Sequence, residues 1–177
     1  MFQVMDMFEP YRRKRENRKI TCQVSHAQDA DLPDMANLIV DREGGEHQET
    51  IKGLHRYLSG ELAHLFVAKV GDEVVGFGKS RKFSGKDVQY EGWYLSGVMV
   101  KPEYRGLGIG NALTEKRIMA LKAITRKIYY FVNSNNRVSI ELHDKFGFRL
   151  LVEPFEFPDV VFKSGHGCLY CLSTDDL

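Results

Sequence analysis

Residues 94–110 read Y-L-S-G-V-M-V-K-P-E-Y-R-G-L-G-I-G, Tyr94 to Gly110, and their order decides the fold. Leu95 to Val100 is an extended apolar run with β-branched Val98 and Val100. Pro102 has no N–H to give to a sheet ladder, so a strand stops near Lys101. From Ile109 the spacing turns helical, with apolar residues at 109, 112, 113, 120, 121 and 124. The loop between strand and helix carries Gly106, Gly108 and Gly110, which remove Cβ atoms where the chain must turn. Several amides can then converge on one ligand at the positive end of the helix dipole, a geometry suited to phosphate or pyrophosphate. Lys116 falls on the expected apolar stripe, which requires its stem to lie along the core edge with the ammonium reaching out.

Two familiar glycine loops do not fit. A Walker loop ends in Gly-Lys-Ser/Thr, whereas Gly110 is followed by Asn111 and Ala112. A dinucleotide fingerprint is G-x-G-x-x-G on a first strand, with an acid further on, whereas this loop lies past mid-chain with glycines at every second position. What fits is R-x-x-G-x-G, filled by Arg105, Gly108 and Gly110 after V-x-V-x-P. A second stretch, N-R-V-S-I-E-L-H-D-K-F-G-F, runs from Asn136 to Phe148. On a helix its Val138, Leu142 and Phe146 would form a buried stripe, with Asn136, Ser139 and His143 along one polar flank.

Together these two segments resemble the GNAT superfamily of acetyl-CoA-dependent N-acetyltransferases, and the resemblance spans roughly residues 20 to 172. It implies a mixed α/β fold: a central mixed sheet of about seven strands, helices on both faces, and a central parallel strand pair that splays apart. It implies acetyl-CoA as cosubstrate. The backbone of Val98 and Val100 would pair with the pantetheine arm, and an N–H near Val98 would meet the developing oxyanion. Amides of Gly106, Leu107, Gly108, Ile109 and Gly110, with Arg105, would hold the pyrophosphate. Asn136 and Ser139 would line the cofactor cleft, although an Asn at a helix start also caps it locally. His143 stands where many members carry the Tyr that protonates the leaving thiolate; imidazole, with an ordinary pKa of about 6.5, can also donate. Tyr94 and Glu91 are the candidate bases.

The 177 residues carry 25 basic and 24 acidic side chains, a net charge of +1, with 43% hydrophobic residues. That is ordinary for one soluble domain, and it gives no overall field for nucleic acid or an anionic membrane. Residues 1–19 are expected to be a basic extension, with six basic residues between Arg12 and Lys19, and residues 20–177 a single acetyltransferase domain. Without a membrane-length apolar run or a secretory signal core, the expectation is a cytoplasmic protein. Cys22, Cys168 and Cys171 are too few for a disulfide framework. A zinc reading of His166, Cys168 and Cys171 with Cys22 is set aside, because strand alternation sends Cys168 and Cys171 to opposite faces. No metal is expected.

Outward from the deciding stretch the order is β-α-α-β-β-β-α-β-α-β-β. Ile20 to Val24 is a first strand, and Asp31 caps a helix whose first turn accepts Pro33. Gly44-Gly45 breaks that helix before a second. His64–Val70 and Glu73–Arg81 flank the hairpin turn Gly71-Asp72. Ile128–Val132 follows the central helix and lies parallel to the deciding strand. Phe148–Val152 and Gly167–Ser173 close the chain. In the resemblance the helical break overhangs the acceptor, and Asp41, Glu43, Glu46 and Glu49 there would draw a cationic amine. The expected acceptor is a small-molecule primary amine, of the kind met by aminoglycoside-modifying relatives. A protein lysine or N-terminal amine is the alternative, and a non-catalytic acyl-CoA sensor a third. Pairing into a homodimer is expected.

Overall fold

The computed structural model describes residues 3–5, 20–58, 60–162 and 165–176. The basic run expected at Arg12 to Lys19 lies outside them. In chain order the elements are β1 (Gln3–Met5), β2 (Gln23–His26), α1 (Leu32–Glu43), α2 (His47–His55), β3 (Ala63–Val70), β4 (Glu73–Phe83) and β5 (Gly92–Val100). They continue with α3 (Ile109–Lys122), β6 (Lys127–Asn133), α4 (Arg137–Asp144), β7 (Arg149–Phe155), β8 (Val160–Phe162) and β9 (Gly167–Ser173). The fold is mixed α/β: seven strands hydrogen-bond in the order β2-β3-β4-β5-β6-β9-β7, and β1 pairs with β8 in a separate ladder. That short parallel pair was not expected, since three-residue strands leave no periodicity to read.

Within the described residues the chain divides into two compact units. One runs over 20–81 and 95–120; the other takes 82–94 and 121–176 with β1. In the first, β2, β3 and β4 are antiparallel, and Val70 faces Glu73 across the Gly71-Asp72 turn as the hairpin signal requires. Leu65, Val67, Val74 and Phe77 bury against Leu32, Met35, Leu38 and Leu54 of the two N-terminal helices. Phe66, Ala68 and Val75 pack with Ile109 and Leu113 of α3, each of these side chains except the Ala68 methyl contributing about 1.5–3 kcal/mol by leaving water. Asp31 does precede α1, but its carboxylate accepts from the Gln28 amide at 2.9 Å and pairs with Lys69 at 2.5 Å instead of capping the helix.

In the second unit β5 and β6 run parallel, as the strand-helix-strand order implies, with Trp93 opposite Ile128 and Tyr94 opposite Tyr129. β6 and β7 both pair antiparallel with β9. The core here is aromatic: Tyr94, Tyr129, Phe155 and Phe157 close around Leu169. β7 runs on through Pro154 to Phe155, further than the expected end at Val152, because its ladder with β9 shifts register around that proline.

Both helical stripes need correcting. On α3 the buried positions are Ile109, Leu113, Thr114, Arg117, Ile118 and Leu121; Lys116 is exposed, so no snorkelling is needed, and Arg117 occupies the core position. On α4 Val138 is 43% exposed and His143 only 4%, so the expected polar flank supplies the buried residue.

Candidate functional site

β5 leaves the sheet where Lys101 N–H still bonds Val75 O at 2.9 Å, and Pro102 then starts a single 3-10 turn to Tyr104. Glu73 grips both ends of that turn, accepting from Lys101 Nζ and from Tyr104 Oη at 2.7 Å each. Its carboxyl is held below the usual range by those two hydrogen bonds. Arg105 folds back, Nε donating to Val100 O at 3.1 Å. Gly106 and Gly108 adopt φ of +79° and +86°, the left-handed region that side chains avoid, and Gly110 already belongs to α3. A Cβ at Gly108 would meet nothing within 4 Å, so the loop is an open cradle at the start of a 14-residue helix. The amides of a helix's first turn have no internal partners, and such a cradle fits a pyrophosphate.

Arg117 is the residue that the sequence reading missed. It is 1% exposed and meets main chain on several sides. One guanidinium nitrogen, Nη1, donates to Lys79 O and Gly97 O at 3.1 Å each, while Nε reaches Leu113 O and Nη2 reaches Thr114 Oγ1. Burial pushes its pKa down to about 9, which still leaves it charged at neutral pH. Gly78 makes room, since a Cβ there would lie 2.9 Å from Nε. Gly97 has φ of +122°, and its carbonyl belongs to the same peptide as the Val98 N–H. Val98 and Val100 are half-buried against α3 and its surroundings.

The second motif builds a different local structure. Asn136 is the N-cap of α4, its Oδ1 accepting from Ser139 N at 3.1 Å. His143 stacks on Tyr130 at 3.9 Å, Tyr130 stacks on Tyr170 at 4.8 Å, and Phe148 stands edge-on to the imidazole. His143 Nδ1 lies 2.7 Å from Ser139 O; a carbonyl can only accept, so Nδ1 carries a proton. In the neutral ring Nε2 then holds the lone pair, and giving a proton from Nε2 requires the imidazolium form.

Tyr94 lies in the same unit as α4, 1% exposed among Phe83, Tyr129, Phe131 and Phe157, with Oη donating to Tyr90 O at 2.6 Å. Burial raises its pKa above the ordinary phenol value, the wrong direction for a base. Glu91 is exposed and accepts from Gly85 N at 2.9 Å. Tyr94→Phe is expected to cost about 1 kcal/mol through the lost hydrogen bond and to leave turnover nearly intact. A general base contributes at least about 100-fold, so a loss of that size on stopped-flow assay would reinstate the phenol as the base.

Part of the acidic cluster is structural. Glu46 caps α2, accepting from Gln48 N at 3.0 Å and Glu49 N at 2.6 Å, and Glu49 pairs with Lys52. The first unit thus holds Val98, Val100 and Arg105 to Gly110; the second holds Glu91, Tyr94, Asn136, Ser139 and His143.

Residues 32–148 match the model of the acetyltransferase (GNAT) family, a span that contains both the glycine loop and the α4 motif. The chain belongs to the GNAT family. Solved structures agree on the GNAT fold. An N-acetyltransferase from Staphylococcus aureus Mu50 superposes with a TM-score of 0.70 at 20% identity, over 87% of this chain and 99% of that one. A GNAT phosphinothricin acetyltransferase from Sinorhizobium meliloti, in complex with acetyl-CoA, gives 0.69 at 18% identity, over 87% and 89%. A curated relative, the N-alpha-acetyltransferase of Sulfurisphaera tokodaii, is 33% identical over 96 residues. That match takes in 49% of this chain, and the chain spans only 57% of that relative's length.

Proposed function

We propose that this GNAT protein moves an acetyl group from acetyl-CoA to a small-molecule primary amine by direct attack, without a covalent enzyme intermediate. The observation that carries the reading is the open glycine cradle at the start of α3, with Gly106 and Gly108 in left-handed conformations and Arg105 alongside. Acetyl-CoA supplies the thioester: the C–N bond forms as the C–S bond breaks. Amides of Gly106, Leu107, Gly108, Ile109 and Gly110 take the pyrophosphate, with Arg105 adding charge. The backbone of Val98 and Val100 holds the pantetheine arm, and the Val98 N–H donates to the oxyanion, a contribution of about 3–4 kcal/mol in acyl transfer. Asn136 and Ser139 contact the cofactor. Glu91 accepts the proton that the amine loses, through water, and Tyr94 shapes that end of the strand. His143, as imidazolium, returns a proton to the departing thiolate.

A second reading, an N-terminal amine of a protein as acceptor, draws support from the name of the Sulfurisphaera relative and from the structural duties of Glu46 and Glu49. The deciding experiment measures CoA release from acetyl-CoA with aminoglycosides, polyamines, amino acids and short peptides. Fast release with a small amine supports the proposal; peptides acting best move it to the second reading. Cofactor binding without release from any amine points to a sensor, and no binding at all removes the activity. The reading includes a cytoplasmic homodimer, which light scattering tests for mass. No helix among the described residues is long and apolar enough to cross a membrane.

A further inference from the structure

β7 and β9 face each other with Val152 opposite Leu169 and Phe155 opposite Gly167. Three steps along β7 therefore match two along β9, and the extra residue makes a bulge. Glu153 lies within that irregular stretch, next to Val152, and its carboxylate comes within reach of Cys168. His166 immediately precedes β9, and its imidazole reaches the Glu153 carboxylate. The result is a trio: one ligand atom each from Glu153, His166 and Cys168, all within 4.8 Å of one another. His166 Nε2 and Glu153 Oε1 are bonded to each other. Cys168 is buried, whereas the His166 and Glu153 side chains are 47% and 41% exposed, so the trio opens on solvent from a fixed base. The acetyl transfer proposed above gives none of these residues a task.

The geometry points to a binding site for a borderline-soft divalent cation of the zinc class, held by Glu153, His166 and Cys168. The donor set decides the class. One sulfur, one imidazole nitrogen and one carboxylate oxygen suit zinc or cobalt, while magnesium and calcium require mostly oxygen. Three protein ligands leave a fourth position for water on the exposed side. Zinc bonds of about 2.0–2.3 Å put tetrahedral ligand atoms roughly 3.5 Å apart, so the His166–Glu153 hydrogen bond must open to admit the ion while the widest separation shortens by about 1 Å. The two exposed side chains can supply that movement.

A cation between the sulfur and the Glu153 carboxylate would compensate the negative charge that both ligands bring. On binding, the thiol releases its proton to solvent and the thiolate coordinates. This is a different set from the cysteines weighed in the sequence. Cys171 does lie on the opposite side of β9, packed in the aromatic core.

The test is titration of Co²⁺ into the reduced, untagged chain. One ion per chain is expected, with a thiolate-to-cobalt charge-transfer band in the near ultraviolet, four-coordinate ligand-field bands in the visible, and displacement of both by Zn²⁺. Cys168→Ser is expected to remove the charge-transfer band, while Cys22→Ser and Cys171→Ser keep it. His166→Ala, at an exposed position that the fold tolerates, is expected to weaken Co²⁺ binding at least about tenfold. No band in the wild-type chain, a band that survives Cys168→Ser, or unchanged affinity in His166→Ala would each overturn the site. The readout involves no acetyl transfer, so it stands apart from the proposed activity.

Discussion

Arg117→Met is expected to lower the free energy of unfolding by about 2–5 kcal/mol and, where the variant is still folded, to cut kcat about 10- to 100-fold with little change in KM. Two effects compete in the stability. Methionine escapes the cost of burying a cation, and replacing a buried ion pair by apolar side chains is often neutral when both partners go together. Here three of the four partners are main chain and cannot be replaced. Lys79 O and Gly97 O would each lose the guanidinium that they share at 3.1 Å, at about 1–3 kcal/mol per abandoned acceptor, so the loss wins. The kinetic part follows from the peptide that joins Gly97 to Val98. Arg117 holds its oxygen end, which orients and polarises the N–H end that the proposed mechanism places on the oxyanion. Arg117 is thus a positioning residue, acting on kcat because the oxyanion exists only beyond the ground state. Urea unfolding and steady-state rates with the best amine are the measurements. Arg117→Lys, which keeps the charge without the fork, should recover part of kcat. An unchanged kcat in a folded Arg117→Met would leave the residue purely structural.

What the sequence made legible was set by short-range chemistry. Pro102 ended β5 and the glycine spacing opened α3, because both act on the backbone within a few residues. The hairpin at Gly71-Asp72 and the parallel pairing of β5 with β6 came from turn type and connection length. The misreadings of α3 and α4 share one origin, the treatment of polar residues as outward-facing. Arg117 sits eight residues after Ile109 and four after Leu113, on the buried face, yet an arginine breaks an apolar count. The only available signal was that helical spacing, together with Gly78 on a distant strand that clears its space. His143 was read as a flank residue, whereas its ring fills the place of an aromatic between Tyr130 and Phe148. Of the candidate site, the loop was readable and the arginine behind the Gly97 peptide was not. The Glu153, His166 and Cys168 trio depends on the register of β7 against β9, which no local pattern encodes.

Gly108→Val is expected to weaken CoA binding by at least about 100-fold while the chain stays folded, because two or more amide bonds to phosphate, each about 1.5–3 kcal/mol, would be misaimed. Space is not the obstacle, since nothing lies within 4 Å of the added Cβ. Conformation is: φ of +86° is strained for valine by roughly 1–3 kcal/mol, and relief turns the peptides on either side away from the cradle. Gly44 separates strain from function. It has φ of +74° and equally open surroundings, but it lies between α1 and α2, away in sequence from the loop. Gly44→Val should therefore suffer similar backbone strain and keep its affinity. Calorimetric titration with CoA and with pantetheine, which lacks the pyrophosphate, sharpens the comparison. The Gly108 variant should lose the difference between the two ligands, since that difference is the energy of the phosphate contacts. If Gly108→Val binds CoA as tightly as Gly44→Val does, the cradle is an ordinary strand-to-helix turn, and the proposed activity loses the observation that carries it.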